Sequence, residues 1–208
     1  MVSERTVTFE GFRGVRLAAH VYGNPTSPPV VLLHGGGQTR HAWAGTARRL
    51  ADAGFHAVAL DLRGHGDSDW APDGDYSIDA FAADLREVAS TFDVPPAVVG
   101  ASLGGGVVLV AEGEATSSLC SAVVLVDIAH RIEMDGAMRI LGFMTGRPEG
   151  FTSLEEAADA IAEYLPHRPR PTDLSGLTKN LRQGADGRYP WHRDPALFQG
   201  DLTPASAQ

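Results

Sequence analysis

The chain has 208 residues, of which 43% are hydrophobic, and a formal net charge of −9. This length and composition allow one sizeable domain with a buried core. An acidic chain without a run of lysine or arginine is a poor partner for nucleic acid. The chain begins without the pattern of a signal peptide, and its apolar stretches are far shorter than a membrane span, so no membrane association is expected. The one cysteine, Cys120, excludes an internal disulfide framework and is typical of a cytoplasmic protein.

The first 126 residues predict strands that alternate with helices. Short apolar runs bounded by glycine, proline or polar clusters indicate the strands, and apolar residues at helical spacing indicate the helices. Such alternation is typical of βαβ units and a parallel sheet. The predicted strands are 6–9, 15–22, 30–33, 56–60, 97–99 and 122–126, and the predicted helices are 41–53, 78–92 and 103–114.

The pattern changes after Asp127, because residues 131–183 contain no convincing strand. The segment SLEEAADAIAEYL begins with Ser153 and Glu156, which have the spacing of a capping box and predict an amphipathic helix. Residues 173–183 predict another helix. A helical insert after a sheet can cover the carboxyl edge of that sheet. We therefore divide the chain into a core, 1–130, a helical lid, 131–183, and an irregular tail, 184–208.

The segment GASLG, residues 100–104, fits the pattern G-x-S-x-G between a predicted strand and a predicted helix. A nucleophile on such a sharp turn has strained backbone angles, and only small residues fit two positions away on either side. The turn lifts the hydroxyl of Ser102 above the sheet. The N–H of Leu103 then points to where an oxyanion would form.

Two further segments strengthen this interpretation. HGGG, residues 34–37, follows one predicted strand, and DLRGHGDSD, residues 61–69, follows the next. With these motifs the sequence resembles the α/β-hydrolase superfamily, especially its lid-bearing branch of esterases and non-haem haloperoxidase-like proteins. The resemblance covers about residues 5–195. It implies an α/β fold with a mostly parallel sheet and a helical lid.

The resemblance also implies Ser102 as the nucleophile and the N–H groups of Gly36 and Leu103 as the oxyanion hole. A serine at this position argues against epoxide hydrolase and dehalogenase chemistry, which need a carboxylate nucleophile. Two other interpretations of Ser102 remain: a helix cap in a glycine turn, and part of a dinucleotide-binding loop with Asp127 as the ribose-binding acid. The dinucleotide-binding interpretation lacks the middle glycine of its motif, where Ser102 stands instead; that glycine lets the backbone approach pyrophosphate.

The remaining polar residues have structural alternatives. We interpret His34 as a histidine that shapes the oxyanion loop rather than as a base, and Asp61 and Arg63 as residues that hold their loop by hydrogen bonds. Asp127 either orients a catalytic histidine or is structural. Trp191 and His192 resemble a family segment after the lid, with packing against the sheet edge as the alternative.

The serine needs a base, and the family's histidine follows the last strand. After Ser102 only His130, His167 and His192 occur, and none has the expected context. The family's fold normally adds two strands and two helices after its lid. At typical element and loop lengths these would need roughly 60 residues. We therefore expect a chain truncated at its carboxyl terminus, with one sheet edge exposed to a second copy or to a complementing carboxyl-terminal segment.

The expected function is hydrolysis of an ester-like or related small organic substrate by acyl transfer. No metal or organic cofactor is expected, because no cluster of ligands has metal-binding spacing. The alternative is a non-catalytic ligand-binding protein, or an inactive fragment that has lost its catalytic histidine.

Overall fold

A computed structural model describes residues 4–128 and 134–198. Six strands form one sheet in the order β1-β2-β4-β3-β5-β6. Strands β3 to β6 run parallel, whereas β2 pairs antiparallel with both β1 and β4. The strands are β1 Glu4–Glu10, β2 Arg16–Tyr22, β3 Pro29–Leu33, β4 His56–Leu60, β5 Ala97–Ala101 and β6 Ala122–Val126. All six strands lie within about two residues of their predicted positions.

Helices cover both faces of the sheet. One hydrophobic cluster joins α2 and α3 to the sheet and includes Phe81, Leu85 and Val107. A second cluster places Ala47 of α1 against Leu32 on the other face. None of the helices in the described residues is long and apolar enough to cross a membrane. The helices are α1 Ala44–Asp52, α2 Ile78–Ser90, α3 Leu103–Gly113, α4 Met134–Thr145 and α5 Leu154–Tyr164.

The helix ends follow local sequence signals. The hydroxyl of Ser77 accepts a hydrogen bond from Ala80 N at 3.2 Å and so caps the start of α2. Gly54, with φ of +91°, ends the turn after α1. The helix predicted from residue 41 is α-helical only from Ala44, because residues Arg40–Trp43 form a 3₁₀ helix. There the N–H of Arg40 is held by Asp61 at 2.5 Å, which constrains the first turn.

Two predictions for residues 131–183 need correction. The hydroxyl of Ser153 caps α5 at Glu156 N, 3.1 Å away, but the Glu156 carboxylate accepts from Thr152 N and Oγ1, both at 2.6 Å, instead of from Ser153 N. The helix predicted over 173–183 is wrong, because only Ser175–Lys179 is helical, as a 3₁₀ turn.

The reason for the second error is a long-range pairing. Leu181 forms an isolated antiparallel bridge with Trp191, and Arg182 N donates to Pro190 O at 3.1 Å. Residues that pair with a distant segment cannot keep helical hydrogen bonds. The local apolar spacing gave no indication of that partner.

Strand β6 is the last strand on its side of the sheet among the described residues. Its four consecutive apolar residues are exposed: Val123 39%, Val124 49%, Leu125 43% and Val126 39%. Alternate residues of a strand point to opposite faces. Both faces of β6 and its outer edge are therefore open in this part of the chain.

Candidate active site

Ser102 lies at the sharp turn between β5 and α3. Its backbone angles are φ 46° and ψ −112°, a conformation that residues with a side chain rarely adopt. Ser102 N donates to Val126 O at 3.0 Å, which ties the turn to the adjacent strand. The residue is exposed at the carboxyl end of the parallel strands. That edge is where α/β sheets bind ligands.

The two glycines of the pentapeptide are required by space. A Cβ built at Gly104 would lie 2.6 Å from Leu33 O, and one at Gly100 would lie 2.7 Å from Gly105 Cα. Real Cβ atoms essentially never approach so closely. The steric reason for the G-x-S-x-G spacing therefore applies to this turn.

The HGGG loop leaves one backbone donor open. Gly35 N donates to Gln38 Oε1 and Gly37 N donates to His65 Nε2, each at 3.1 Å. Gly36 N, between them, has no acceptor among the described residues. An open N–H between two engaged ones can donate to a ligand oxygen.

The second open donor belongs to Leu103, the first residue of α3. The first N–H groups of a helix have no intrahelical acceptor, and Leu103 N has none elsewhere in the described residues. The helix start also adds positive potential. The side chains of Phe198 and Leu103 border Gly36, since a Cβ built there would lie 3.4 Å from Phe198 Cζ and 3.9 Å from Leu103 Cδ2. No sequence pattern indicated that Phe198 would lie here.

His34 and His65 support the loops rather than face a ligand. Nε2 of His34 accepts from Leu62 N at 3.1 Å, and its Nδ1 lies 2.8 Å from Gly35 O. Likewise, His65 Nε2 accepts from Gly37 N, and its Nδ1 lies 3.0 Å from Arg63 O. An acceptor Nε2 requires the proton on Nδ1. Burial lowers the pKa of both rings, so both are neutral. The interpretation of His34 as a structural residue is confirmed.

The loop after β4 is held by a buried ion pair. Arg40, 5% exposed, contacts the fully buried Asp61 through its guanidinium, and its Nη2 lies 2.7 Å from Asp67 Oδ2. Asp61 also accepts from Asp67 N at 2.9 Å. A Cβ at Gly66 would overlap the Asp61 carboxylate. Asp61 therefore holds its loop, as predicted.

A second buried pair joins that loop to α2. Arg63 Nε and Nη2 lie 2.6 Å and 2.7 Å from the two carboxylate oxygens of Asp84. Asp84 also accepts from Phe12 N at 2.8 Å. Burial raises the pKa of Asp84, and the hydrogen bonds from Arg63 oppose that rise. The loop role predicted for Arg63 is confirmed, and its partner Asp84 is a residue that the sequence did not indicate.

Asp127 follows β6 directly and is exposed, with φ of 52°. Because Ala101 pairs with Val126, Asp127 leaves the strand beside Ser102. His130 lies outside the described residues. His167 is exposed, and His192 lies near Asp67, with 3.8 Å between Nε2 and Oδ1. In residues 4–128 and 134–198, no histidine forms a hydrogen bond with Ser102.

Helix α4 lies against the HGGG loop. A Cβ at Gly37 would overlap Met144 of α4. Arg193 Nη2 donates to Met144 O at 2.9 Å, and its guanidinium carbon lies 4.5 Å from the ring centre of Phe198. These contacts place α4 and Phe198 beside the open N–H of Gly36.

The packing of Trp191 differs from the structural alternative given for it, which was the sheet edge. Its ring meets Phe143 and Phe151 edge to face at 5.8 Å and 5.7 Å, in the hydrophobic cluster that includes Phe151 and Leu181.

Other sources of chemistry are few in the described chain. Cys120 is buried, and burial raises the pKa of its thiol to about 12, so it behaves as an inert hydrophobic residue. Within residues 4–128 and 134–198, no three or more His, Cys, Asp or Glu side chains are grouped to hold a metal ion.

Comparison with solved structures finds the same fold. An α/β hydrolase from Novosphingobium aromaticivorans has a TM-score of 0.83 and 25% identity, over 100% of this chain and 74% of that one. The esterase Rv0045c from Mycobacterium tuberculosis has a TM-score of 0.70 and 27% identity, over 97% of this chain and 68% of that one.

Sequence comparison finds ester-cleaving relatives. The esterase Rv0045c is 32% identical over 85% of this chain and 60% of its own length. Protein phosphatase methylesterase 1 from Bos taurus is 34% identical over 67% of this chain and 38% of its own length. The chain spans about three fifths of the length of the first curated relatives it matches, which are uncharacterised mycobacterial proteins at 30% identity. The family model of the alpha/beta hydrolase fold matches residues 28–198. The chain therefore belongs to the α/β-hydrolase family.

Proposed function

We propose that this protein is a serine hydrolase that cleaves an ester-like bond in a small organic substrate, with Ser102 as nucleophile. One observation carries the proposal. Of the three N–H groups at Gly35, Gly36 and Gly37, only that of Gly36 is open, and the second open N–H, of Leu103, adjoins Ser102. These are the donors that a tetrahedral oxyanion needs.

The proposed reaction is acyl transfer in two steps. Ser102 Oγ attacks the substrate carbonyl carbon, and the carbonyl oxygen becomes an anion that accepts from the N–H groups of Gly36 and Leu103. The tetrahedral intermediate collapses and expels the alkoxide, which takes up the proton lost by Ser102 and leaves as the alcohol. Water then attacks the acyl-serine, releases the acid and restores the hydroxyl. Asp127, beside Ser102 at the end of β6, is the proposed acid that orients the base.

The relatives support the bond class. Two of them carry the names esterase and methylesterase, so an ester carbonyl is the proposed target. The single buried thiol of Cys120 favours a cytoplasmic setting.

A fluorophosphonate probe tests the nucleophile, because it forms a covalent adduct only with an activated serine. We expect one adduct per chain by intact mass, lost in Ser102→Ala and kept in Ser117→Ala, which replaces an exposed serine in the turn before β6. Short-chain p-nitrophenyl esters then measure turnover. An adduct that persists in Ser102→Ala, or no adduct on a protein with a cooperative unfolding transition, would reject Ser102 as an autonomous nucleophile.

A second candidate is ligand binding without turnover. It is favoured by the lack of a histidine bonded to Ser102 within residues 4–128 and 134–198. This candidate predicts saturable binding of an ester, measured by calorimetry, with no acid released and no fluorophosphonate adduct. Detection of an acyl-enzyme by mass spectrometry would exclude it.

A further inference from the structure

A cleft lies between the loops at the carboxyl end of the sheet and the segment 178–192 of the chain. We call it the basic cleft. Its volume is about 400 Å³, and neither Ser102 nor the two open N–H groups of the active site line it. Its charged and histidine lining residues are Arg40, His41, Asp67, Lys179, Arg182 and His192.

The charge of this cleft is opposite to that of the whole chain. Three permanent cations, those of Arg40, Lys179 and Arg182, line it together with a single carboxylate, that of Asp67, and the buried carboxylate of Asp61 pairs with Arg40 from behind. The chain as a whole carries a net charge of −9. Burial lowers the pKa of His192, and the charge of Arg182 lowers it further. A concentration of positive charge inside an acidic protein attracts an anion to that place.

Asp67 is already shared among these cations. Its Oδ2 lies 2.7 Å from Arg40 Nη2, and its Oδ1 lies 3.3 Å from Arg182 Nη2 and 3.8 Å from His192 Nε2. One carboxylate cannot give two guanidinium groups and an imidazole a close hydrogen bond each. Donors on the lining of the cleft therefore remain available.

Two buried nitrogens lack acceptors. Arg40 is 5% exposed, and its Nε has no hydrogen-bond partner among the described residues, although its Nη atoms reach Asp61 and Asp67. His192 Nε2 is likewise buried without a hydrogen-bond partner in this part of the chain. Buried donors normally have partners. Both of these residues line the basic cleft, so a polar ligand bound there lies next to them.

We infer that the basic cleft binds a small anionic group, a carboxylate or a phosphate. Such a group offers the oxygen acceptors that guanidinium and ammonium donors require. It is either an anionic part of the substrate or a separate anion. The inference goes beyond the proposed hydrolysis, because binding at the basic cleft needs no reaction at Ser102.

Titration of the protein with inorganic phosphate, followed by calorimetry at constant ionic strength, tests the inference. We expect one saturable site per chain. Lys179→Gln and Arg182→Gln should each weaken phosphate binding by about tenfold, the loss expected for one charge-assisted hydrogen bond. The Arg182 side chain is 67% exposed, so its replacement does not disturb packing. The matched control, Arg49→Gln, replaces an exposed arginine of α1 and should bind as the wild type does.

The inference is overturned if phosphate gives no saturable heat, if both cleft variants bind with unchanged affinity, or if Arg49→Gln weakens binding equally. Ser102→Ala should retain phosphate binding. The phosphate titration can therefore be interpreted even if the hydrolase proposal fails. Two esters that differ only in a terminal carboxylate identify the source. Phosphate that competes with the carboxylate ester but not with the neutral ester indicates an anionic part of the substrate. Phosphate that binds without competing with either ester indicates a separate anion.

Discussion

His34 and His65 meet edge to face, with ring centres 4.9 Å apart, and each ring accepts a backbone N–H through Nε2. Together they connect the loop after β3 to the loop after β4. Protonation of either Nε2 would replace that acceptor with a second donor and place a charge in a fully buried site. The loop that carries Gly36 therefore depends on two neutral rings.

This arrangement predicts acid sensitivity. Burial lowers the pKa of His34 and His65 in the folded chain, whereas the unfolded chain has pKa values near 6.5. Above about pH 6.5 both states are neutral, and the full stability is present. As the pH falls below that value, only the unfolded chain takes up protons. The free energy of unfolding should then fall by about 1.4 kcal/mol per pH unit for each histidine, until the folded pKa is reached.

Urea unfolding at pH 7.5 and 5.5 measures this slope. Four other histidines have pKa values lowered in the same direction and add to it: His20, His41, His56 and His192. His167→Gln, at an exposed position, should leave the slope unchanged. Equal stability at the two pH values would show that the rings are not held neutral.

The strained backbone at Ser102 predicts a stabilising substitution. A residue with a side chain at φ 46° and ψ −112° stores on the order of 1 kcal/mol, which glycine releases. Ser102→Gly should therefore raise the free energy of unfolding by about that amount and abolish fluorophosphonate labelling. Ser102→Ala should abolish labelling without the gain in stability. If Ser102→Gly destabilises the protein, the turn is not strained as described.

The close approach at Gly104 predicts a large loss of stability. A Cβ there would lie 2.6 Å from Leu33 O, so Gly104→Ala must move α3 away from the sheet, at a cost of about 2 kcal/mol. Gly113→Ala, at the open end of the same helix, meets nothing within 4 Å and should gain up to about 1 kcal/mol from helix propensity. Thermal unfolding of both variants gives the comparison. Equal effects would show that space does not require Gly104.

The buried pair of Arg63 and Asp84 predicts another destabilisation. Asp84→Asn leaves the Arg63 guanidinium buried without a counter-charge, which should cost about 3 kcal/mol in urea unfolding. Glu87→Gln, an exposed change on the same helix, should have almost no effect. Exposed substitutions change the free energy of unfolding by up to about 0.5 kcal/mol. If Asp84→Asn changes it by no more than that, the pair does not hold the loop.

The open edge of β6 predicts self-association. Exposed apolar strands pair with other chains, and a charge on the strand prevents this. The purified chain should form larger species as its concentration rises in analytical ultracentrifugation, and Val124→Lys should reduce them. Leu109→Lys replaces a similarly exposed apolar residue on α3 and serves as the control, because it leaves the strand edge unchanged. A monomer at all concentrations would reject pairing through this edge.

Local pattern was sufficient to predict most of the architecture. Short apolar runs placed the six strands, because a strand buried in a sheet needs consecutive or alternating apolar side chains wherever it lies. The pentapeptide around Ser102 predicted a sharp turn with two required glycines. The constraint on Gly100 is local, since a Cβ there meets Gly104 and Gly105, whereas the constraint on Gly104 comes from Leu33 of the neighbouring strand. The start of α2 at Ser77 and the end of α1 at Gly54 also follow from local sequence, since capping depends on neighbouring backbone groups.

Tertiary structure decided which side chains meet. Arg40 is 21 residues from Asp61, and Arg63 is 21 residues from Asp84, so no local spacing pairs them. Folding also brings His65 to Gly37 N and Phe198 to Gly36, which are 28 and 162 residues apart in the chain. Residues 173–183 were predicted as a helix because the bridge between Leu181 and Trp191 is invisible to periodicity. Sequence patterns report what each segment can form alone, whereas a site depends on the partners that folding brings to it.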